Sequence, residues 1–597
     1  MSASESRFEF ARSTFWRLLP LFFLLLSFTA PAWAQVEASI TGVIIDSSGA
    51  VIAGATVSVK NLENGFTRKA ITNEAGRYDL PSLPLGRYDV TAEMKGFKSE
   101  VKTGVTLVVG QQAVVDLTLQ PGEVKETVTV KDEGPVVNVT TQEISGLVGE
   151  RQVKDLPLNG RSYDGLMTLN PGIVNYTAER SGGVGVSNSA IGNMFAVSGR
   201  RPQENLFLLN GIEYTSASEI NLTPGGASGE LLGVDAIREF NVITDAYGAE
   251  YGKRPGAQVN IVTSSGSNKL HGTSYEFLRN SALDARNFFD QGSIPQFERN
   301  EFGGALGGPL QKEKTFLFGN YEGFRQKLGL SDVTLVPDNN ARLGYLPGAD
   351  GALLHVGVEP SVAPLLSLWP VENGPNLGGG IGEAFSHPLQ NIREDFGTTR
   401  LDHTFSQKDS IFGVYTVDDS ADRTPTVNPF SVNFESLREQ VVSLQETHVL
   451  SPTALNTARF GYSRGGYFFT GLPAVNAPGF IAGAPAGAIV IGGGTASNAA
   501  TQISPAGSNV GSNFIAARNL FTYEDRVDVS KGIHQLSGGV WFQRIQANDN
   551  MAQGQFGQAS FSSLANFLKG TVSTFTAVPS SSLMGWRSLE GAVYFQD

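Results

Sequence analysis

The chain has no cysteine among its 597 residues. Thiolate metal sites, thiol nucleophiles and disulfide staples are therefore excluded. Histidine is scarce: His271, His355, His387, His403, His448 and His534 are all there is. None stands in an HExxH or HxxE pattern, so no helix offers the ligands of a catalytic zinc site. His355 and Glu359 are four apart, but the VGVEP around them is not a helical sequence. Charge is scarce too. Charged residues make up 17%, and a net charge of −13 leaves no basic footprint for nucleic acid. What is plentiful is glycine (70), proline (28) and aromatic residues (10%). This composition excludes an ordinary helical enzyme and a disordered polyelectrolyte, and it predicts many short strands. The length predicts about four units.

Long hydrophobic runs are also lacking, with one exception. Leu18–Phe28 is an apolar run preceded by Arg7, Arg12 and Arg17 and followed by Ala32-Trp33-Ala34. A charged start, a run too short to span a bilayer and a small-x-small site predict a secretory signal over 1–34, cleaved before Gln35. The uncharged stretch Ala477–Ala496 carries two prolines and six glycines, and it reads as a long flexible loop rather than a helix. An exported chain with no membrane helix can enter a bilayer only as a closed β-barrel.

Residues 36–120 show short alternating runs at Ser39–Ile45, Ala55–Lys60, Gly76–Leu80, Tyr88–Lys95 and Ala113–Leu119, separated by turn residues. This spacing predicts a β-sandwich. The stretches ITGVIIDSSGAVIAGATVSV and TNEAGRYDLPSLPLGRYDVTAEMKGF resemble the carboxypeptidase regulatory-like domain. That resemblance implies a transthyretin-like, carbohydrate-binding-like fold without peptidase activity.

The sandwich is followed at 121–133 by a linker holding Glu126-Thr127-Val128-Thr129-Val130. An acidic residue followed by alternating β-branched residues is strongly extended and suited to adding to a sheet edge. The segment resembles the Ton box of TonB-dependent transporters, which implies the periplasmic coupling protein TonB as partner. An ordinary sandwich strand has the same sequence character.

Residues 134–268 resemble the plug domain of those transporters through VKDLPLNGRSYDGLMTLNPGI, VSGRRPQENLFLLNGIEY and VDAIREFNVITDAYGAEYGKRPGAQVNIVTSSGSN. Leu206–Leu209 and Gln258–Thr263 read as strands, Asn210-Gly211 as a turn and Val234–Phe240 as a short helix. Gly252-Lys253-Arg254 lacks the spacing and the hydroxyl residue of a phosphate loop.

From residue 270 onward hairpins recur, with turns at Ser406–Ser410, Ser451-Pro452-Thr453 and Ser530-Lys531-Gly532 and long Gly/Pro-rich stretches between the hairpins. Short turns at one end and long loops at the other fit an outer-membrane barrel. Periodicity alone leaves a soluble sandwich open. LHGTSYEFLRNSALDARNFFD and FERNEFGGALGGPLQKEKTFLFGNYEGFRQK resemble the Oar-like TonB-dependent transporters.

The expected fold is therefore mainly β: a transthyretin-like sandwich, a small α+β plug, then a partial antiparallel outer-membrane barrel over 270–597. Hairpin spacing gives about 11 to 16 strands, short of the about 22 that close such barrels, so the barrel is expected to be incomplete at its C-terminus. Acid pairs such as Asp418-Asp419 read as solvated loop residues.

What the resemblance implies is uptake of a large substrate across the outer membrane, energised by TonB and its inner-membrane complex. The first domain suggests an oligosaccharide; siderophores, peptides and protein export stay open. A non-transporting adhesin or scaffold of the same architecture is the alternative. No enzyme activity, cofactor or metal is expected. N-terminal sequencing of the membrane-extracted protein is expected to start at Gln35; a retained Met1 would contradict export by this route.

Overall fold

The computed structural model describes residues 38–122, 127–131, 143–175, 177, 192–214, 223–245, 248–286, 293–492, 502–578 and 580–597. The proposed signal, with Ala32, Ala34 and Gln35, lies outside the described residues, as does Glu126.

Alternation of buried and solvent-facing residues builds the first unit. Its strands are β1 (Ala38–Asp46), β2 (Thr56–Asn61), β3 (Thr67–Ile71), β4 (Arg77–Leu83), β5 (Gly86–Glu93), β6 (Ser99–Leu107), β7 (Gln112–Val114), β8 (Leu117–Leu119) and β9 (Thr127–Lys131). One sheet runs β4-β1-β7 with β8 also on β1, and the other runs β3-β2-β5-β6-β9. Ile40, Ile44, Val57, Val59, Leu80, Tyr88, Val90 and Leu119 interdigitate between them, all at most 1% exposed. The two buried tyrosines keep their hydroxyls bonded: Tyr78 Oη donates to Val115 O and Tyr88 Oη to Pro84 O, as buried phenols require.

The second unit is a five-stranded sheet. In order across it lie Ile144–Val148, Ile237–Asp245, Gln258–Thr263, Leu206–Leu209 and Ile212–Glu213. The helix expected over Val234–Phe240 is instead a turn leading into the strand Ile237–Asp245. The run IREFNVITD is rich in β-branched and aromatic residues. It pairs on both edges, which outweighs any local helical preference.

Ten long strands from His271–Asn280 to Met584–Gln596 form one antiparallel sheet in strict chain order. The count falls below the 11 to 16 expected because the far-end loops consume more sequence than hairpin spacing allowed. Among the described residues the first and last of these strands do not pair with each other.

The polarity of this sheet is inverted. Glu394, Thr398, Asp418, Glu439, Ser443, Arg459 and Glu524 point to its inner face and are buried. The outer face presents Leu444, Phe460, Tyr523 and Phe542 side by side in register, with Tyr523 and Phe542 49% and 42% exposed. Phe460 and Tyr523 stack at 5.4 Å, and Tyr462 and Phe521 at 5.1 Å. A soluble sandwich buries the face that is exposed here. Apolar outside, polar inside and an aromatic girdle suit a barrel in lipid, which removes the ambiguity left by periodicity. Asp418 is accordingly a buried inner-face residue, not a loop acid. Its neighbour Asp419 faces the other way, 2.8 Å from the Arg393 guanidinium.

The long loops at one end fold together. Residues from 330–388, 474–513 and 551–583 share a core around Trp369, Ile489, Ile503, Phe561 and Phe567. Trp369 Nε1 donates to Ser504 O at 2.6 Å, and Arg342 donates to the carbonyls of Pro337, Leu366, Trp369 and Pro370. The stretch expected as a flexible loop contains the buried strand Ala488–Ile491, paired to Ile503–Ala506 and Gln558–Phe561. Its apolar residues gain partners that lie far off in sequence. Trp369→Ala is expected to cost this cap about 3–5 kcal/mol, read as protease cleavage within 474–513 while the ten-stranded sheet stays resistant.

Candidate functional site

The candidate coupling segment lies in β9. Thr127–Val130 form this strand with Lys131, and β9 pairs in parallel with β6, Ser99 opposite Thr127 through to Thr103 opposite Lys131. The segment is thus extended, as its β-branched alternation requires.

The sandwich is docked, not tethered. Its β2–β3 turn meets the five-stranded inner domain, where both Glu63 carboxylate oxygens accept from the Arg238 guanidinium at 3.0 and 3.2 Å. Such a two-point contact fixes orientation as well as charge. Next to it the Val109 amide donates to Glu239 Oε1, and the Asn268 amide to Glu63 O at 2.9 Å. The opposite sheet rests on the barrel turn Lys531–His534. There Ser530 Oγ donates to Asp79 Oδ2 at 2.8 Å, Asn73 Nδ2 to Gly532 O at 2.6 Å and Gln112 Nε2 to Gln535 Oε1 at 2.9 Å.

The inner domain is held in the curve of the sheet by side chains of the wall. Glu322 accepts from the amides of Gly233 and Asp235, at 3.2 and 3.1 Å. Glu394 accepts from the Ser228 amide at 3.2 Å, and Ser420 Oγ from the Ala227 amide at 2.8 Å. Carboxylates that accept backbone N–H groups in a dry interface make strong, directional anchors. Arg161 adds to this grip: its guanidinium lies 2.5 Å from Asp235 and 3.8 Å from the Tyr275 ring centre. The fit is close at the Asn210-Gly211 turn. Gly211 has φ +81° and no room for a Cβ against the Arg459 guanidinium, while Gly461 on the wall makes way for Ile212.

Between the inner domain and the last strands of the sheet is an open cavity of about 600 Å³, lined in part by Arg254, Trp541 and Tyr594. Lys253 and Arg254, rejected above as a phosphate loop, both engage Glu213. The histidines near turns have local partners. His403 Nδ1 is 2.8 Å from Thr315 Oγ1, His448 Nδ1 2.5 Å from Asp409 Oδ1 and His534 Nδ1 2.5 Å from Asp597 Oδ2. Asp409, Glu446 and His448 converge at the rim of the barrel on its outer face, a grouping that only strand register brings about. The wall carboxylates were likewise not singled out from sequence. Their signal, an acid at an alternating strand position, is also that of any solvated strand.

Two family models match. Residues 262–597 match the outer membrane beta barrel domain, and residues 39–120 the carboxypeptidase regulatory-like domain. The first takes in more than half of the chain, which therefore belongs to the outer membrane beta barrel domain family and is a protein of the outer membrane. Among its relatives, the TonB-dependent transporter Oar of Myxococcus xanthus is 25% identical over 315 residues, covering 50% of this chain and 27% of the relative. The match thus spans about a quarter of that relative's length. Solved structures with similarity include the Escherichia coli outer membrane transporter YddB (11% identity, TM-score 0.44, 75% of this chain and 54% of that one). Another is the siderophore receptor PiuA of Acinetobacter baumannii (11%, 0.39, 76% and 61%). These relatives are transporters and receptors, not enzymes.

Two outcomes test the docking. Burial pushes the Glu239 carboxyl up to about 7 against the pull of Arg238. It pushes Asp79 up to about 6, with the Ser530 hydroxyl opposing. The folded protein then holds protons that the unfolded chain releases above pH about 4, so these two groups lower stability as pH rises toward 7. Cleavage by protease at the sandwich is expected to be slower at pH 5.5 than at pH 8. Glu322→Ala is expected to cost about 1–3 kcal/mol for each buried amide it orphans, seen as faster amide exchange over 225–245 with the barrel strands unchanged.

Proposed function

We propose that this chain is the coupling and gating portion of an outer-membrane transporter energised by TonB. The units of that reading are a signal peptide at 1–34, the sandwich at 36–120 and a Ton-box linker at 121–133. A plug at 134–268 and an Oar-like barrel at 270–597 complete it. TonB binds Glu126–Val130 by strand addition and, drawing on the inner-membrane proton gradient, pulls on the plug. A large substrate, for which the sandwich points to an oligosaccharide, is received at the loop cap and passes as the plug shifts against the wall.

The observation that carries this reading is the place of β9. An extended, β-branched strand stands at the junction between the sandwich and a domain held inside an inverted-polarity sheet. A partner that attaches there can pull on the inner domain. The anchors from Glu322, Glu394 and Ser420 to the 227–235 loop are hydrogen bonds, set beside a small apolar contact of Leu232 and Ala236 with Phe324, Ile392 and Phe396.

Thr127→Pro or Val128→Pro is expected to abolish uptake, because proline removes a donor from the strand, while surface binding of the substrate persists. Uptake and growth of a deletion strain on a panel of polysaccharides and iron chelates identifies the substrate. Transport by the proline variants at the parent rate would place the coupling segment elsewhere.

A further inference from the structure

We propose that the sandwich presents the coupling segment as a preformed edge strand, and that TonB adds its own strand to the open edge of β9 while β9 stays paired with β6. This rests on the reading of Glu126–Val130 as the TonB-binding segment. It differs from the simpler picture of a free peptide captured in solution.

Three observations carry it. First, β9 ends its sheet. The order β3-β2-β5-β6-β9 leaves one side of β9 unpaired among the described residues, so a row of backbone donors and acceptors faces outward as a template for another strand. Sheet edges are commonly blunted by proline or by inward charges. Thr127-Val128-Thr129-Val130-Lys131 has no proline, and its single charge is at its end. Second, β9 lies outside the domain that carries it. The carboxypeptidase regulatory-like match stops at residue 120, so β9 is added to the sheet from the linker. A segment already extended and aligned does not have to be ordered by its partner, which favours binding.

Third, the sheet that holds β9 is connected to the inner domain. From β9 the hydrogen-bonded order runs through β6 and β5 to β2, and the turn after β2 carries Glu63. Glu63 grips Arg238 and the Val109 amide reaches Glu239. Arg238 and Glu239 stand on the strand Ile237–Asp245, which has a partner on each side in the inner sheet. A pull on docked β9 therefore reaches the inner domain through the folded sandwich.

The absence of cysteine makes the test clean. Val101 and Thr129 are directly opposite in the β6–β9 pair, as are Thr103 and Lys131, and adjacent strands lie within disulfide reach. Val101→Cys with Thr129→Cys gives one lock; Thr103→Cys with Lys131→Cys gives a second should the first disturb folding. Binding of the purified periplasmic domain of TonB to the detergent-extracted full chain is measured for oxidised, reduced and parent protein. Oxidised and reduced forms are expected to bind within about threefold of each other. A loss of tenfold or more on oxidation, restored by reductant, would show that β9 must leave β6 and would overturn the inference while keeping the coupling-segment assignment. No binding by the parent protein would overturn both.

Discussion

Inside hydrocarbon a backbone N–H or C=O has no water to turn to, so every one of them must be paired within the protein. The rest of the structure follows from that constraint. It requires long antiparallel strands in unbroken ladders, such as Ser431–Ser451 against Ala454–Pro473. Ladders of this kind force side chains to alternate between lipid and interior. The lipid face then collects Leu444, Phe460, Tyr523 and Phe542, and the interior face is free to be polar. That freedom produces the carboxylates that hold the inner domain.

The interior is therefore organised largely by hydrogen bonds, beside a small apolar contact of Leu232 and Ala236 with Phe324, Ile392 and Phe396 of the wall. Glu322 and Glu394 bind amides of the 228–235 loop, Ser420 binds the Ala227 amide, and Arg161 sits between Asp235 and the Tyr275 ring. The inner domain has a core around Phe240, Val242, Val259 and Ile261, to which Val441 of the wall adds. A body that is folded by itself but seated on polar contacts can move without unfolding. The sandwich is seated in a similar way, through Glu63–Arg238 and the Asp79–Ser530 contact with a small apolar contact of Val109 on Val262, and most of its core lies within it. Three bodies joined by largely polar seams fit the pulled inner domain proposed above.

The two ends of the barrel differ for a related reason. At the sandwich end, turns such as Lys531–His534 are too short for a core and act as docking points. At the other end, three loops are long enough to bury Trp369, Ile489 and Phe567 together. The cap gains this stability only because the strands below bring the three loops close.

How far the sequence reaches can be read from particular residues. Local pattern was enough for four of the sandwich strands, for the Leu206–Leu209 strand with its Asn210-Gly211 turn, and for the hairpins around Ser406–Ser410 and Ser451–Thr453, since each depends on neighbours a few residues away; it missed Thr67–Ile71 and Ser99–Leu107 and merged Gln112–Val114 with Leu117–Leu119. Local pattern failed at Val234–Phe240, where pairing on both edges makes a strand, and at Ala488–Ile491, whose partners begin at residues 503 and 558. It also failed at Asp418, whose inward direction is set by register across three strands. The extended character of Thr127–Val130 was determined by β-branching alone. That β9 lies in parallel on β6, with one edge left open, was decided by the tertiary structure, because a strand's sequence fixes its shape but not which edge it meets.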